Sequence, residues 1–302
     1  MRMLNEILGI KWPLIQGGMA RIATGTFAAT ISNIGALGVI GSGAMTSDEL
    51  REQIRMCKRL TDQPFAVNLI MNHREIEGLV SLMISEKVPI VITGNGNPIK
   101  YINMWKEAGI KVLPVIGTPV FAKFMERQGA DAIIAEGSES GGHIGPMTTM
   151  TLVPQVADNT TIPVIAAGGI ADHRQFNAAL ALGACGVQVG TVLLASEECP
   201  VHNNYKKAIV KSKSTANVVV GQTTGDPVRC IRNHLTEKCA DLEKDCVAKG
   251  QIDRVTMGGL YKAAIEGDME NGSIMAGLTC GQIGKIRSAE EIIRSICCGE
   301  EV

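Results

Sequence analysis

The chain has 302 residues, of which 45% are hydrophobic and 20% charged, with a formal net charge of −1. This composition supports one large or two modest globular cores and excludes a disordered chain. It also excludes the global basic field with which nucleic-acid-binding proteins attract their ligands.

Aromatic residues make up only 3%, against 34 glycines and 14 methionines. The core must then come from Ile, Val, Leu, Ala and Met, which suits a buried parallel sheet covered by helices better than a β-sandwich. The nine cysteines show no CxxC spacing. The opening "MRMLNEILGIKWPLIQGG" lacks the apolar centre of a signal peptide, and no apolar run is long enough to span a membrane. Free thiols, a cytoplasmic location and no membrane association are the expectations.

In chain order, eight short apolar runs recur: "PLIQGGM" (13–19), "LGVIGSG" (37–43), "PFAVNLIM" (64–71), "VPIVITGNG" (88–96), "KVLPVIG" (111–117), "DAIIAEG" (131–137), "PVIAAGG" (163–169) and "GVQVGTVLLA" (186–195). Each is followed by glycine or a polar turn and then a helix-like segment. The spacing is that of βα units. "TSDELREQIRMCKRL" offers Thr46 or Ser47 as N-cap and places Leu50, Ile54, Cys57 and Leu60 at helical spacing. "EAGIKV", "RQGADAI" and "ALGACGV" repeat one device, a helix stopped by a left-handed glycine before a strand. Eight such units predict an α/β fold, a closed (β/α)8 TIM barrel over residues 1–199. An open doubly wound sheet is the competing architecture, but "GSGAMT" and "GNGNPI" both lack the last glycine of GxGxxG. Residues 200–302 are charged and helix-rich, and predict a helical extension packed on the barrel. The glycine-rich segment 272–277 would return to the active face.

In such a barrel, chemistry lies at the C-terminal strand ends. The first four runs bring there Gly17, Gly18 and Met19, Ser42 and Gly43, Asn68, and Thr93 with Gly94 and Asn95. The later ones bring the loop 136–145, Gly168 and Gly169, and Gly190 and Thr191. The glycine clusters "AAGGIAD" and "QVGT" end the seventh and eighth strands, the usual phosphate end. Backbone N–H groups approach an anion closely there, Thr191 adds a hydroxyl, and a following helix N-terminus adds a favourable dipole.

His143, in "AEGSESGGHIG" (135–145), is the one histidine at a strand end, and imidazole donates a proton near neutral pH. His173 follows Asp172 at a helix start and suits a cap or surface position. His73, His202 and His234 lie in polar segments and are expected to be exposed. Glu136 and Glu139 beside His143 lack a second histidine at ligand spacing, so no metal site is expected. No GxSxG elbow is present.

Seven stretches carry a resemblance: "QGGMA" (16–20), "PFAVN" (64–68), "TGNGNP" (93–98), "AEGSESGGHIG" (135–145), "PVIAAGGIAD" (163–172), "GVQVGT" (186–191) and "GSIMAG" (272–277). They resemble the FMN-dependent nitronate monooxygenase superfamily nearly end to end. Within it, "GGHIG", "TTMTLVPQV" and "AAIEGDMENGSIMAG" are most similar to the flavin-type enoyl-[acyl-carrier-protein] reductase II group.

The resemblance implies FMN with its phosphate against Gly168, Gly169, Gly190 and Thr191. It implies that Gly18, Met19, Asn68, Glu136 and Gln188 line the flavin and ribityl chain, and that Met275 and Gly277 close over it. His143 would sit at the substrate side. There it would either donate to the thioester oxygen or protonate the α-carbon of a trans-2-enoyl thioester whose β-carbon receives hydride. NADH or NADPH is the implied reductant, acyl carrier protein the partner bearing the substrate, and a homodimer the implied assembly. A monovalent-cation requirement is a trait of some members.

"NYKKAIVKSKS" (204–214), with Lys206, Lys207, Lys211 and Lys213, offers either a solvated helix face or a basic docking patch for the carrier. Two other functions compete: a nitronate monooxygenase using oxygen, and a non-flavin phosphate-binding aldolase or isomerase. The latter would ordinarily need a strand-end lysine or carboxylate base, and lysine is missing from these strand ends.

Overall fold

The computed structural model of the chain describes residues 2–246 and 248–299. Nine strands precede residue 200: β1 (Leu14–Gln16), β2 (Gly38–Gly41), β3 (Phe65–Ile70), β4 (Ile90–Gly94), β5 (Lys111–Ile116), β6 (Ile133–Glu136), β7 (Gly142–His143), β8 (Val164–Ala167) and β9 (Gly186–Val189). All but β7 coincide with the eight apolar runs. They form one parallel sheet in the order β1-β9-β8-β6-β5-β4-β3-β2. The ends of that sheet meet through a parallel bridge between Ile15 and Leu37. There Gln16 N–H donates to Leu37 O and Leu37 N–H to Leu14 O, both at 2.9 Å. This is the closed (β/α)8 barrel expected from the sequence.

Strand alternation sorts the core into two layers. On β4, Ile90 and Ile92 join the interior cluster with Ile15, Val39, Ala66 and Ile134. Val91 points the other way, into the larger layer between strands and helices. The helix Leu4–Leu8 adds Leu4 and Leu8 to the interior cluster, and Leu4 N–H donates to Cys185 O at 2.8 Å. It therefore plugs the barrel at the end opposite the strand C-termini.

The surrounding helices follow their local signals. Thr46 caps the helix Ser47–Leu60 in a reciprocal box with Glu49 and buries Leu50, Ile54 and Cys57. Leu60, expected on the same face, is 46% exposed, because the helix ends there and runs off the core. Gly109, Gly129 and Gly183 have φ of 76°, 95° and 100°, the left-handed stops expected before β5, β6 and β9.

The extension contains the expected helices, including Asn203–Lys211, His234–Lys244, Lys249–Thr256 and Ala289–Cys298. It also contains a hairpin that the helical reading missed, β10 (Asn217–Val220) and β11 (Val228–Ile231), paired antiparallel. β11 pairs in turn with β7, placing Val228 opposite His143 and Arg229 opposite Gly142. The loop after the sixth barrel strand is thus an edge of the extension's own sheet. The last helix docks on the barrel through buried Ile292, Ile293 and Ile296, with His173 Nδ1 2.9 Å from Ile296 O. All nine cysteines are unpaired. Among the described residues, no helix is long and apolar enough to cross a membrane.

Candidate active site

The strand C-termini converge on one mouth. A Cβ on Gly18 would lie 2.4 Å from Cβ of Asn68, so only glycine lets the loop after β1 pass over β3. A Cβ on Gly190 would meet nothing nearer than Met19 Sδ at 3.8 Å. Gly18, Met19, Asn68 and Gly190 therefore share the mouth. The buried oxygens Ser42 Oγ, Thr93 Oγ1, Ser140 Oγ and Gln188 Oε1 have no hydrogen-bond partner among the described residues. Ser42 follows β2, Thr93 lies on β4, Ser140 follows β6 and Gln188 lies on β9. Buried polar atoms normally find partners, so four orphans around one mouth mark where a polar ligand belongs.

Gly168 and Gly169 have φ of 90° and 74°. A Cβ on Gly168 would sit 2.7 Å from Gly137 O, and one on Gly169 3.2 Å from Glu139 Cβ. Their conformation turns the chain out of β8 against the loop after β6, with no side chain between. Thr191 Oγ1 accepts the Gly277 N–H at 2.8 Å, which leaves its own proton free to donate to an anion.

The helix N-termini at this end offer little dipole. The helix after β9 is only Thr191–Leu194, and the N-terminus of His173–Ala181 is already capped by Asp172, which accepts from Arg174 and Gln175 N–H at 2.9 and 3.2 Å. An anion at this end would rest on loop N–H groups and Thr191.

Glu139, unexplained by its place in the loop's sequence, is a structural clasp. Both its oxygens accept Thr149 N–H, at 3.0 and 2.9 Å, at the start of the helix Thr149–Asn159. Thr149 Oγ1 lies within 3.1 Å of Ala167 O and 2.9 Å of Gly168 O, tying the same point to the end of β8. Burial pushes the Glu136 carboxyl up to about 7; Ser140 opposes the shift, reaching toward the carboxyl without closing a full hydrogen bond.

The segment 272–277 packs against the loop after β6 and against the extension. Leu278 N–H donates to Glu139 O at 2.9 Å, Tyr205 Oη–H to Met275 O at 2.8 Å, and Asn217 Nδ2–H to Ala276 O at 2.7 Å. A Cβ on Gly142 would lie 3.5 Å from Met275 Sδ. Met275 and Gly277 are thereby brought to His143 and Thr191.

His143 is carried by the β7–β11 pairing, and its side chain is about half exposed at the mouth. Its Nε2 lies 3.3 Å from Asp226 Oδ1, and Asp226 Oδ2 lies 3.5 Å from Lys249 Nζ. Arg229 Nε and Nη donate to Ser138 O at 3.1 and 2.9 Å, pinning the loop from the other side. Asp226, Arg229 and Thr149 escaped the sequence reading. "NVVVGQTTGDPVRCI" carries a hairpin signal, two β-branched runs around a Gly-Asp-Pro turn, that would have exposed the first two.

The remaining histidines lie elsewhere. His202 and His234 are exposed as expected, while His73 is half-buried, its Nδ1 accepting Glu75 N–H at 3.1 Å. Lys206 does not belong to a basic patch: it is buried and donates to Glu197 O at 2.9 Å, leaving Lys207, Lys211 and Lys213 exposed.

Comparison with known proteins agrees with this geometry. The nitronate monooxygenase family model matches residues 1–299. A solved structure of FabK from Thermotoga maritima superposes with a TM-score of 0.95 at 46% identity, covering 98% of this chain and 95% of that one. A nitroalkane oxidase from Streptomyces ansochromogenes gives a TM-score of 0.86 at 25% identity, covering 97% and 96%. A probable nitronate monooxygenase of Staphylococcus saprophyticus is 35% identical over 80% of this chain and 81% of its own. A (3aS,4S,5R,7aS)-5-hydroxy-7a-methyl-1-oxo-octahydro-1H-indene-4-carboxyl-CoA dehydrogenase of Mycobacterium tuberculosis is 38% identical, over 86% and 73%. The chain belongs to the nitronate monooxygenase family. It is an oxidoreductase.

Proposed function

We propose that this protein is an FMN-dependent reductase of trans-2-enoyl thioesters carried on acyl carrier protein, with NADH or NADPH as reductant. The observation that carries the reading is the match to FabK over nearly the whole of both chains. The mouth supports the cofactor: its orphaned polar atoms suit a polar ring system, and the open position at Gly190, beside the left-handed turn of Gly168 and Gly169 and the free Thr191 proton, suits a phosphate. Gly18, Met19, Asn68, Glu136 and Gln188 would hold the ring and ribityl chain, and Met275 and Gly277 would cover them. FMN bound there supplies a two-electron hydride relay between nicotinamide and substrate.

The chain's own residues do the rest. His143 stands at the open side of the mouth, where a thioester enters, and supplies a proton to the substrate as hydride arrives at the β-carbon. Asp226, in contact with Nε2, orients the imidazole and leaves Nδ1 to face the substrate. The covering segment at Met275 and Gly277 keeps bulk water from the reacting atoms. In this reading residues 1–199 hold the cofactor, residues 200–302 cover it, and the active form is a homodimer.

A second reading, oxidation of alkyl nitronates with oxygen, is favoured by the staphylococcal relatives and the family model. Anaerobic mixing decides between them. The reductase is bleached rapidly by NADH or NADPH and regains its yellow colour with crotonyl thioester. Bleaching by a nitronate, with no response to either nicotinamide, would establish the second reading instead. A protein purified without flavin would overturn both.

A further inference from the structure

A cavity of about 340 Å³ opens beside His143 and Met275 and runs into the extension. Its inner wall is Val220, Leu235, Cys239 and Ile252. Three of these, Val220, Leu235 and Cys239, are the whole buried part of a small satellite core separate from the barrel layers. Ile252 is the one buried residue of the helix Lys249–Thr256, which closes the far side. The extension thus holds an apolar hollow that its own side chains do not fill.

Three threonine hydroxyls on this wall are already engaged, while the carboxylates of Asp226 and Asp253 and the hydroxyl of Ser273 also border the cavity. Thr224 Oγ1 donates to Gly221 O at 3.0 Å, Thr236 Oγ1 to Asn233 O at 2.9 Å, and Thr256 Oγ1 to Ile252 O at 3.1 Å. Their hydroxyl protons are therefore not free for a ligand. Burial pushes the Cys230 thiol up to about 12, so it adds no charge. Arg21 is the one arginine or lysine among the described lining residues. It stays at the barrel rim, its guanidinium 5.2 Å from the Tyr261 ring centroid. A dinucleotide needs many donors and aromatic faces along its length, whereas an aliphatic chain needs neither.

We infer that this hollow is the binding chamber for the aliphatic tail of the substrate, and that Leu235, Cys239 and Ile252 set the chain length accepted. The inference rests on the enoyl thioester reading and adds where the acyl chain lies. A water-sized group occupies about 30 Å³, so the chamber takes on the order of ten such groups, a medium-length chain. Each methylene that enters contributes about 0.8 kcal/mol, so affinity rises about tenfold or more for every two carbons until the chamber is full.

The test titrates the FMN-loaded wild-type protein with butyryl-, hexanoyl-, octanoyl- and decanoyl-coenzyme A, followed by flavin absorbance. A steep rise with length is expected, and a flat series overturns the inference. Cys239→Phe, and independently Ile252→Phe on the less tightly packed helix, should each lower the decanoyl-to-butyryl affinity ratio at least about tenfold. The kcat/KM ratio of trans-2-decenoyl to crotonyl thioester should fall with it. Unchanged ratios in a folded variant, or a selective rise in the KM for NADH, would show that the chamber does not hold the acyl tail. Crotonyl turnover by the wild type tests the reaction itself, so failure of the chain-length series is distinguishable from failure of the assigned activity.

Discussion

Glu139 and Thr149, ten residues apart, clasp the loop that carries His143: both carboxylate oxygens accept the Thr149 N–H, at 3.0 and 2.9 Å. The same glutamate's backbone carbonyl receives Leu278 N–H from the return segment. One residue thereby joins the sixth strand end, the following helix and the C-terminal cover. Replacing Glu139 with Ala leaves the first turn of that helix uncapped and should lower stability by about 1–2 kcal/mol. FMN affinity should weaken several-fold in the same variant, since Glu139 buttresses Gly169. Urea unfolding and flavin fluorescence titration read the two effects.

His143→Ala should give yellow, normally folded protein whose enoyl reduction is slowed by about 100-fold or more, the ordinary contribution of a positioned proton donor. Its reduction by the nicotinamide cofactor should be nearly unaffected, because that half-reaction needs no proton on the substrate. Stopped-flow absorbance separates the halves. Wild-type turnover in this variant would remove His143 from the reaction.

Gly168 and Gly190 should respond differently to one methyl group. Gly168→Ala forces a left-handed residue against Gly137 O and should cost more than about 1 kcal/mol of stability. Gly190→Ala meets no protein atom nearer than 3.8 Å and should fold normally. Its methyl enters the space assigned to the phosphate, so FMN affinity should fall about tenfold or more. Thermal melts beside equilibrium flavin binding test the contrast.

Glu136 makes stability depend on pH. Its carboxyl is held at about 7 by burial, against 4.5 in an ordinary setting. Between those values the folded chain keeps a proton that the unfolded chain has released. Stability should therefore fall as pH rises from about 4.5 to about 7 and level off above. The effect is bounded at about 3 kcal/mol. Glu136→Gln should flatten that slope and melt higher than wild type at pH 8, a comparison made by calorimetry across the window.

Reversing charge at Lys207, Lys211 and Lys213 should raise the KM for carrier-bound substrate and leave that for a coenzyme A thioester unchanged. Equal effects on both would place the carrier elsewhere. Lys206 is excluded from the set because its ammonium group is buried against Glu197 O.

The barrel was legible because each strand announces itself by an apolar run, and β5, β6 and β9 also by the glycine that ends the helix before them. Gly109, Gly129 and Gly183 adopt the left-handed conformations their positions called for. The site was legible where backbone geometry demands a residue type, as at Gly18 beside Asn68. Sequence spacing could not reveal Glu139 as a clasp, because its partner Thr149 is brought near only by the loop's fold. The hairpin β10–β11 was hidden by its shortness and by the charged helices around it. The local hairpin signal could have exposed Asp226 as a turn residue, but its place beside His143 comes from a pairing that spans more than eighty positions.

That pairing has a consequence for how the protein is made. All eight barrel strands have been synthesised by Val189, whereas the strand that fixes His143, β11, begins only at Val228. A nascent chain can close its barrel early, but the histidine gains its backbone partner only after the hairpin emerges. Met275 and Gly277 follow later still. Activity is thus deferred to the last third of translation, and any truncation before the return segment should leave a barrel without a working mouth.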